Sequence, residues 1–138
     1  MTNMSPAADD VFFTEPVMNQ PVGPPMPIMW CAHTREEQRH RLAELELWVT
    51  WLVDRYRLDR RYVPECWPRH WEFIEELSAL KQAWEAAYAT TSRADAPLAW
   101  HERLGLTRIR LAEWAARAGC RAGEHRPAPR RAVSHADG

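Results

Sequence analysis

Leu42, Leu45, Val49, Leu52 and Tyr56 recur at intervals of three, four, three and four residues. That period places side chains on one stripe of an α-helix, and it predicts helix over 35–58. Thr34 stands where it can cap this helix, with Glu37 placed to complete the capping box. Phe73, Leu77, Leu80, Trp84 and Tyr88 repeat the pattern. They predict a second helix that takes Pro68 into its first turn and ends at about residue 89. A third set, Trp100, Leu104, Leu111, Trp114 and Ala118, predicts helix over about 97–118. Asp95 is its candidate cap, and Gly105 is where it could split in two. Strand-like alternation and internal repeats are both lacking. The expected fold is therefore all-α: a small three-helix (or three-to-four-helix) antiparallel bundle, since short loops return each helix along its predecessor. Trp48, Trp84, Trp100 and Trp114 fall on the inward stripes.

The chain's 138 residues have room for one domain and its tails. Residues 1–30 hold six of the 11 prolines, together with Asp9, Asp10 and Glu15 and no base. They read as an extended, disordered leader, because proline removes backbone donors and resists helix. The helical domain is expected over 31–125, and residues 126–138, with Arg126, Arg130 and Arg131, as a disordered tail. The N-terminus shows no basic patch followed by an apolar run, and no stretch approaches the ~20 apolar residues that span a bilayer. A cytoplasmic protein without a membrane partner is expected. Cysteines there stay reduced, and serve as metal ligands or buried thiols more often than as disulfides.

Two short stretches concentrate the chemistry. "PECWPRH" places Cys66 four residues before His70, and "GCRAGEH" places Cys120 five residues before His125. In an antiparallel pair, the start of the second helix lies beside the end of the third, so the two half-sites should share one end of the bundle. His70 falls on the side of Phe73 and Leu77 and should point inward. Gly119 can end the third helix in a left-handed turn, and Gly123 lets the chain curl back. Two cysteines and two histidines form a common tetrahedral set for structural zinc. The positive end of the second helix would favour a thiolate at Cys66. Two other readings stay open. The cysteines could be small buried hydrophobes beside a hydrogen-bonded His70 and a solvated His125, or Cys66 and Cys120 could form a disulfide.

The stretch "CWPRHWEFIEELSALKQAWEAAY", followed by "WHE" and by "GC" with a histidine five residues on, resembles an uncharacterised actinobacterial family. That family is encoded largely on plasmids, integrative elements and phages. The resemblance covers about residues 48 to 125, and it differs where the helix-friendly "LTRIRLAEWAARA" replaces a loop-like run. It implies that Cys66, His70, Cys120 and His125 recur as a set, along with Trp84, Trp100 and His101. It implies no activity. What it adds is a setting on a mobile element and weight for zinc.

Other patterns are weaker. "WHERLG" begins like H-E-x-x-H but has no second histidine. His101 is expected near the start of the first helix as a capping or solvated residue; Cys31 and His33, with His40 or His101, are a remote metal set. There is no glycine-rich phosphate loop and no nucleophile elbow, so the chain reads as non-enzymatic. Leu47, Trp51 and Leu58 form a second apolar stripe that the leader or the third helix could cover, or that could bind a protein partner or a second copy. Arg55, Arg57, Arg60, Arg61, Arg69 and Arg121 map to the expected zinc end and could contact nucleic acid. The sequence thus points to a binding module for protein interaction or assembly, with accessory nucleic-acid binding as the alternative.

Overall fold

Three helices form where the apolar period recurs: α1 (Arg35–Tyr56), α2 (Trp71–Ala87) and α3 (Ala96–Ala118). Short 3-10 turns lie at Trp30–Ala32 and Trp67–Arg69. The structure is a computed structural model that describes residues 25–120 and 124–127. Among these residues there is no strand, and no helix is long and apolar enough to cross a membrane.

The Thr34 hydroxyl accepts the Glu37 backbone N–H at 3.2 Å, which satisfies one of the free donors at the start of α1. The helix stops at Arg57, whose backbone turns left-handed at φ 54°, ψ 51°. That turn breaks the helical phase, so Leu58 leaves the stripe it would share with Leu47 and Trp51. It swings into the core and is 1% exposed. Trp51 packs its ring on Trp84 at 5.2 Å, and only Leu47 stays fully outside. The second apolar stripe is therefore not one exposed surface.

Pro68 lies in its own 3-10 turn, not in α2. The extended backbone of His70 (φ −124°, ψ 115°) separates the two, so α2 begins at Trp71. α3 runs unbroken through Gly105, where an added Cβ would meet open space. Asp95 occupies its cap position but makes no side-chain cap bond, because its carboxylate takes the Arg93 Nε–H at 3.3 Å.

α2 and α3 pack antiparallel. Trp100 Nε1 donates to the Leu80 carbonyl at 3.1 Å, Thr107 Oγ1 donates to Glu76 Oε1 at 2.9 Å, and the Phe73 and Trp114 rings lie 6.3 Å apart. Residue numbers fall along α2 as they rise along α3. α1 does the reverse. Trp30, just before α1, meets Trp71 at 6.1 Å, and Trp48 and Trp51 meet Trp84 at 5.9 and 5.2 Å. So α1 runs in the same direction as α2, and residues 57–70 cross back between their ends. The alternating rule applies to short loops; this connection is long enough to break it.

Trp48 and Trp100 are fully buried, while Trp84 and Trp114 are partly buried against the same core. Trp30, expected in the leader, is instead 3% exposed and donates from Nε1 to Ser78 Oγ at 3.2 Å. Ile28 also packs on the core, so the domain starts before residue 31.

Candidate metal centre

The antiparallel packing of α2 and α3 brings the start of one beside the end of the other. Cys66 is held ahead of the Trp67–Arg69 turn, where its carbonyl accepts the Arg69 N–H at 2.9 Å and buried Trp67 anchors the turn. His70 follows with its ring sealed from solvent, 3% exposed and edge-on to Phe73 at 5.9 Å. On the other side, Gly119 ends α3 at φ 64°, a left-handed conformation that suits glycine, and so aims Cys120 back at the bundle.

Four ligand atoms meet there. Nε2 of His70 lies 3.6 Å from Cys66 Sγ and 3.4 Å from Cys120 Sγ, and Nδ1 of His125 lies 3.9 Å from Cys120 Sγ. All four atoms fall within 4.8 Å of one another, so the group could hold a metal ion. Bonds of about 2.3 Å to sulfur and about 2.0 Å to nitrogen would put tetrahedral ligand atoms roughly 3.3–3.8 Å apart. The three contacts given lie within or beside that range, and the widest separation, 4.8 Å, would close by about 1 Å around a bound ion. All three cysteines of the chain are free thiols.

Supporting groups stand behind the ligands. The Arg126 backbone N–H donates to Cys120 Sγ at 3.2 Å, a bond that steadies a thiolate. Glu72 Oε1 lies 3.8 Å from His70 Nδ1, on the far side of the ring from the sulfurs. That orientation leaves Nε2 for a metal, with the carboxylate behind the ring. A carboxylate two residues after a histidine that opens a helix was the available signal for Glu72.

In the metal-free arrangement, burial first, and then the hydrogen bond and charge of Cys120, push the Cys66 thiol up. The expectation that a helix N-terminus favours its thiolate does not hold. Cys66 precedes the 3-10 turn, and His70, not Cys66, stands next to α2. Burial, then His70, then Arg69 hold His125 below the ordinary imidazole value. A neutral imidazole is the form that binds metal.

The remote metal set is scattered. Cys31 is exposed, and His33 Nδ1 sits 2.8 Å from the Met29 carbonyl. His40 faces Glu44 at 3.2 Å, while His101 Nε2 meets the Tyr56 hydroxyl at 3.1 Å. His101 thus lies at the end of α1, not at its start.

The arginines named for nucleic acid do not gather at the metal end. Arg55 lies over the Trp51 ring at 5.9 Å, where α1 ends beside the start of α3. Since α3 spans roughly 35 Å at the usual helical rise, that end is far from Cys120. Arg57 and Arg60 border a groove beside α1, and Arg61 is paired with Asp59 at 3.0 Å. Among the described residues of that set, Arg69 alone belongs to the metal segment. Arg121 and Gly123 lie outside the described residues, as do the leader before residue 25 and the tail after 127. No family model matches the chain, and neither a similar curated protein nor a similar solved structure is found.

Proposed function

We propose that the protein is a non-catalytic binding module whose one end is stapled by a structural zinc ion on Cys66, His70, Cys120 and His125. The observation that carries this reading is the convergence of those four ligand atoms within 4.8 Å, although they come from two segments fifty residues apart. The donor set of two thiolates and two imidazoles suits zinc. Four protein ligands complete a tetrahedron and leave no position for water or substrate, which supports a staple over a catalyst. The resemblance to a family carried on plasmids and phages supports a mobile element as its setting. Metal analysis of the protein purified from zinc-supplemented medium tests the proposal. One zinc per chain is expected, with none in Cys120→Ser. A ratio near zero in the unaltered protein would overturn it.

A second reading, association with a protein partner or a second copy, moves from the dissolved stripe on α1 to α3. Leu98, Leu106 and Ile109 are 66%, 57% and 58% exposed there, on the face turned away from Trp100, Leu104 and Leu111. Light scattering of the protein and of Ile109→Glu tests it, with a concentration-dependent mass expected only for the unaltered chain.

A further inference from the structure

The parallel course of α1 and α2 has a chemical consequence at the metal end. Both helices start there, and between their first turns lies a cleft of about 350 Å³. Arg35, Arg39 and Arg69 line it together with Trp71, over a floor that includes Trp30 and Leu42. Among the described residues, no carboxylate lines the cleft. Nor does any of the three arginines form an ion pair among the described residues, in contrast to Arg61, Arg93 and Arg110. Glu36, Glu37 and Glu72 are close in sequence, but none of them faces the cleft, and Glu72 is directed at His70.

Three formal positive charges thus converge where two helix dipoles also present their positive ends. Arg35, a base in the first turn of α1, opposes the helix dipole, while Glu36 and Glu37 in the same turn complement it. An anion in the cleft would offset the charge of Arg35 together with those of Arg39 and Arg69. A bare anion, however, would leave Trp71 unexplained. Trp71 is 52% exposed, and its ring is set edge-on against buried Trp30 at 6.1 Å and 65°. A fixed, half-open indole face beside arginines is what stacks on a nucleobase while guanidinium groups take its phosphate. A cleft of this volume sits at the small end of ligand sites, with room for one such unit.

We infer that this cleft binds a single nucleotide unit, with its base on Trp71 and its phosphate on Arg35, Arg39 and Arg69. The unit can belong to a free mononucleotide or to single-stranded nucleic acid; duplex DNA offers no free base face. The inference rests on the reading of the chain as a binding module, and stands independently of the zinc.

The test uses the full chain with its zinc content measured. Fluorescence anisotropy follows a labelled octathymidylate at low salt, with adenosine monophosphate and a duplex of matched length as competitors. Trp71→Ala should weaken binding about tenfold, and Trp71→Phe should restore most of it. Arg39→Ala should lower the slope of log affinity against log salt by about 0.7, as loss of one phosphate contact to a single strand requires. Arg61→Ala, whose guanidinium is already taken by Asp59, should change nothing. Displacement by the mononucleotide would assign the free ligand, and resistance to it the strand; both support the cleft. Absence of binding by either probe, equal binding in Trp71→Ala and Arg39→Ala, or equal displacement by duplex would overturn it. If the unaltered protein binds octathymidylate but holds no zinc, the metal reading fails and this one stands.

Discussion

The Tyr56 hydroxyl and His101 Nε2 meet at 3.1 Å, and the Tyr56 ring lies edge-on to Trp100 at 5.5 Å. This contact joins the last residue of α1 to the first turns of α3 and fixes which end of the bundle α1 finishes at. Tyr56→Phe keeps the ring and removes only the hydroxyl. It should cost about 0.5–1.5 kcal/mol for each hydrogen bond lost, and the hydroxyl also bonds Tyr88. Tyr56→Ala should cost more, because the contacts with Trp51 and Trp100 go as well. Urea denaturation of both variants measures the difference.

That contact also marks the limit of what the residues disclose. The three helices, the Thr34 cap and the inward ring of His70 follow from local spacing, which a single segment carries. The direction of α1 does not, since it depends on how residues 57–70 cross the bundle. An antiparallel α1 would place Arg55 at the metal end and His101 at the start of α1; the parallel course places both where α1 ends. The second apolar stripe failed for a different reason. It continued a helical wheel past Tyr56, and nothing about an arginine announces the left-handed backbone at residue 57. The Cys/His cluster was legible because it needed only α2 and α3 to pack antiparallel.

Zinc removal gives the second prediction. Binding at such a site can contribute on the order of 10 kcal/mol to the folded state. A chelator should therefore lower the melting temperature while helicity persists, because the core of Trp48, Phe73, Trp100 and Leu111 needs no metal. Hydrogen exchange should rise at Cys120 and Arg126, whose N–H···S bond closes the segment. Cys31→Ser should retain zinc, and Gly119→Ala should bind it more weakly. At Gly119 the new Cβ would meet Arg126 Nη1 at 3.1 Å in a left-handed backbone.

On the alkaline side, the pH dependence should have opposite signs with and without metal. Burial and Cys120 raise the Cys66 thiol above its ordinary value of 9.0 in the metal-free fold. A raised value contributes stability that is present below 9.0 and lost as pH climbs through the folded value. His125, lowered from 6.5, contributes stability present above 6.5 and lost as pH falls through its lowered value. The metal-free protein should therefore weaken on both flanks. Zinc displaces the Cys66 proton, so its affinity should rise with pH and loading should release protons. Calorimetry in buffers of different ionisation enthalpy counts them. Zinc affinity independent of pH would contradict thiolate ligation.

Gly105 offers a stabilising substitution. It lies within α3, facing open space, where glycine costs roughly 0.5–1 kcal/mol relative to alanine. Gly105→Ala should recover about that amount without disturbing zinc or the Arg110–Glu76 bridge one turn on. A raised denaturation midpoint at unchanged slope is the expected result. A loss of stability would mean that α3 needs the freedom of glycine there.

The last prediction compares two tryptophans that burial alone cannot distinguish. Trp48 and Trp100 are 2% and 1% exposed. Trp100 Nε1 donates to the Leu80 carbonyl at 3.1 Å, whereas Trp48 Nε1 is buried with no hydrogen-bond partner among the described residues. Replacing either by phenylalanine removes the same atoms and leaves a similar void, so the cavity cost largely cancels between them. What differs is the polar group. At Trp100 the change deletes a bond worth about 0.5–1.5 kcal/mol; at Trp48 it removes a donor whose unsatisfied burial costs about 1–3 kcal/mol. Trp100→Phe should therefore be the more destabilising by roughly 1.5–4.5 kcal/mol, read from paired urea titrations. Equal losses would mean that the Trp48 N–H is satisfied in solution by ordered water, and that the two indoles are equivalent after all.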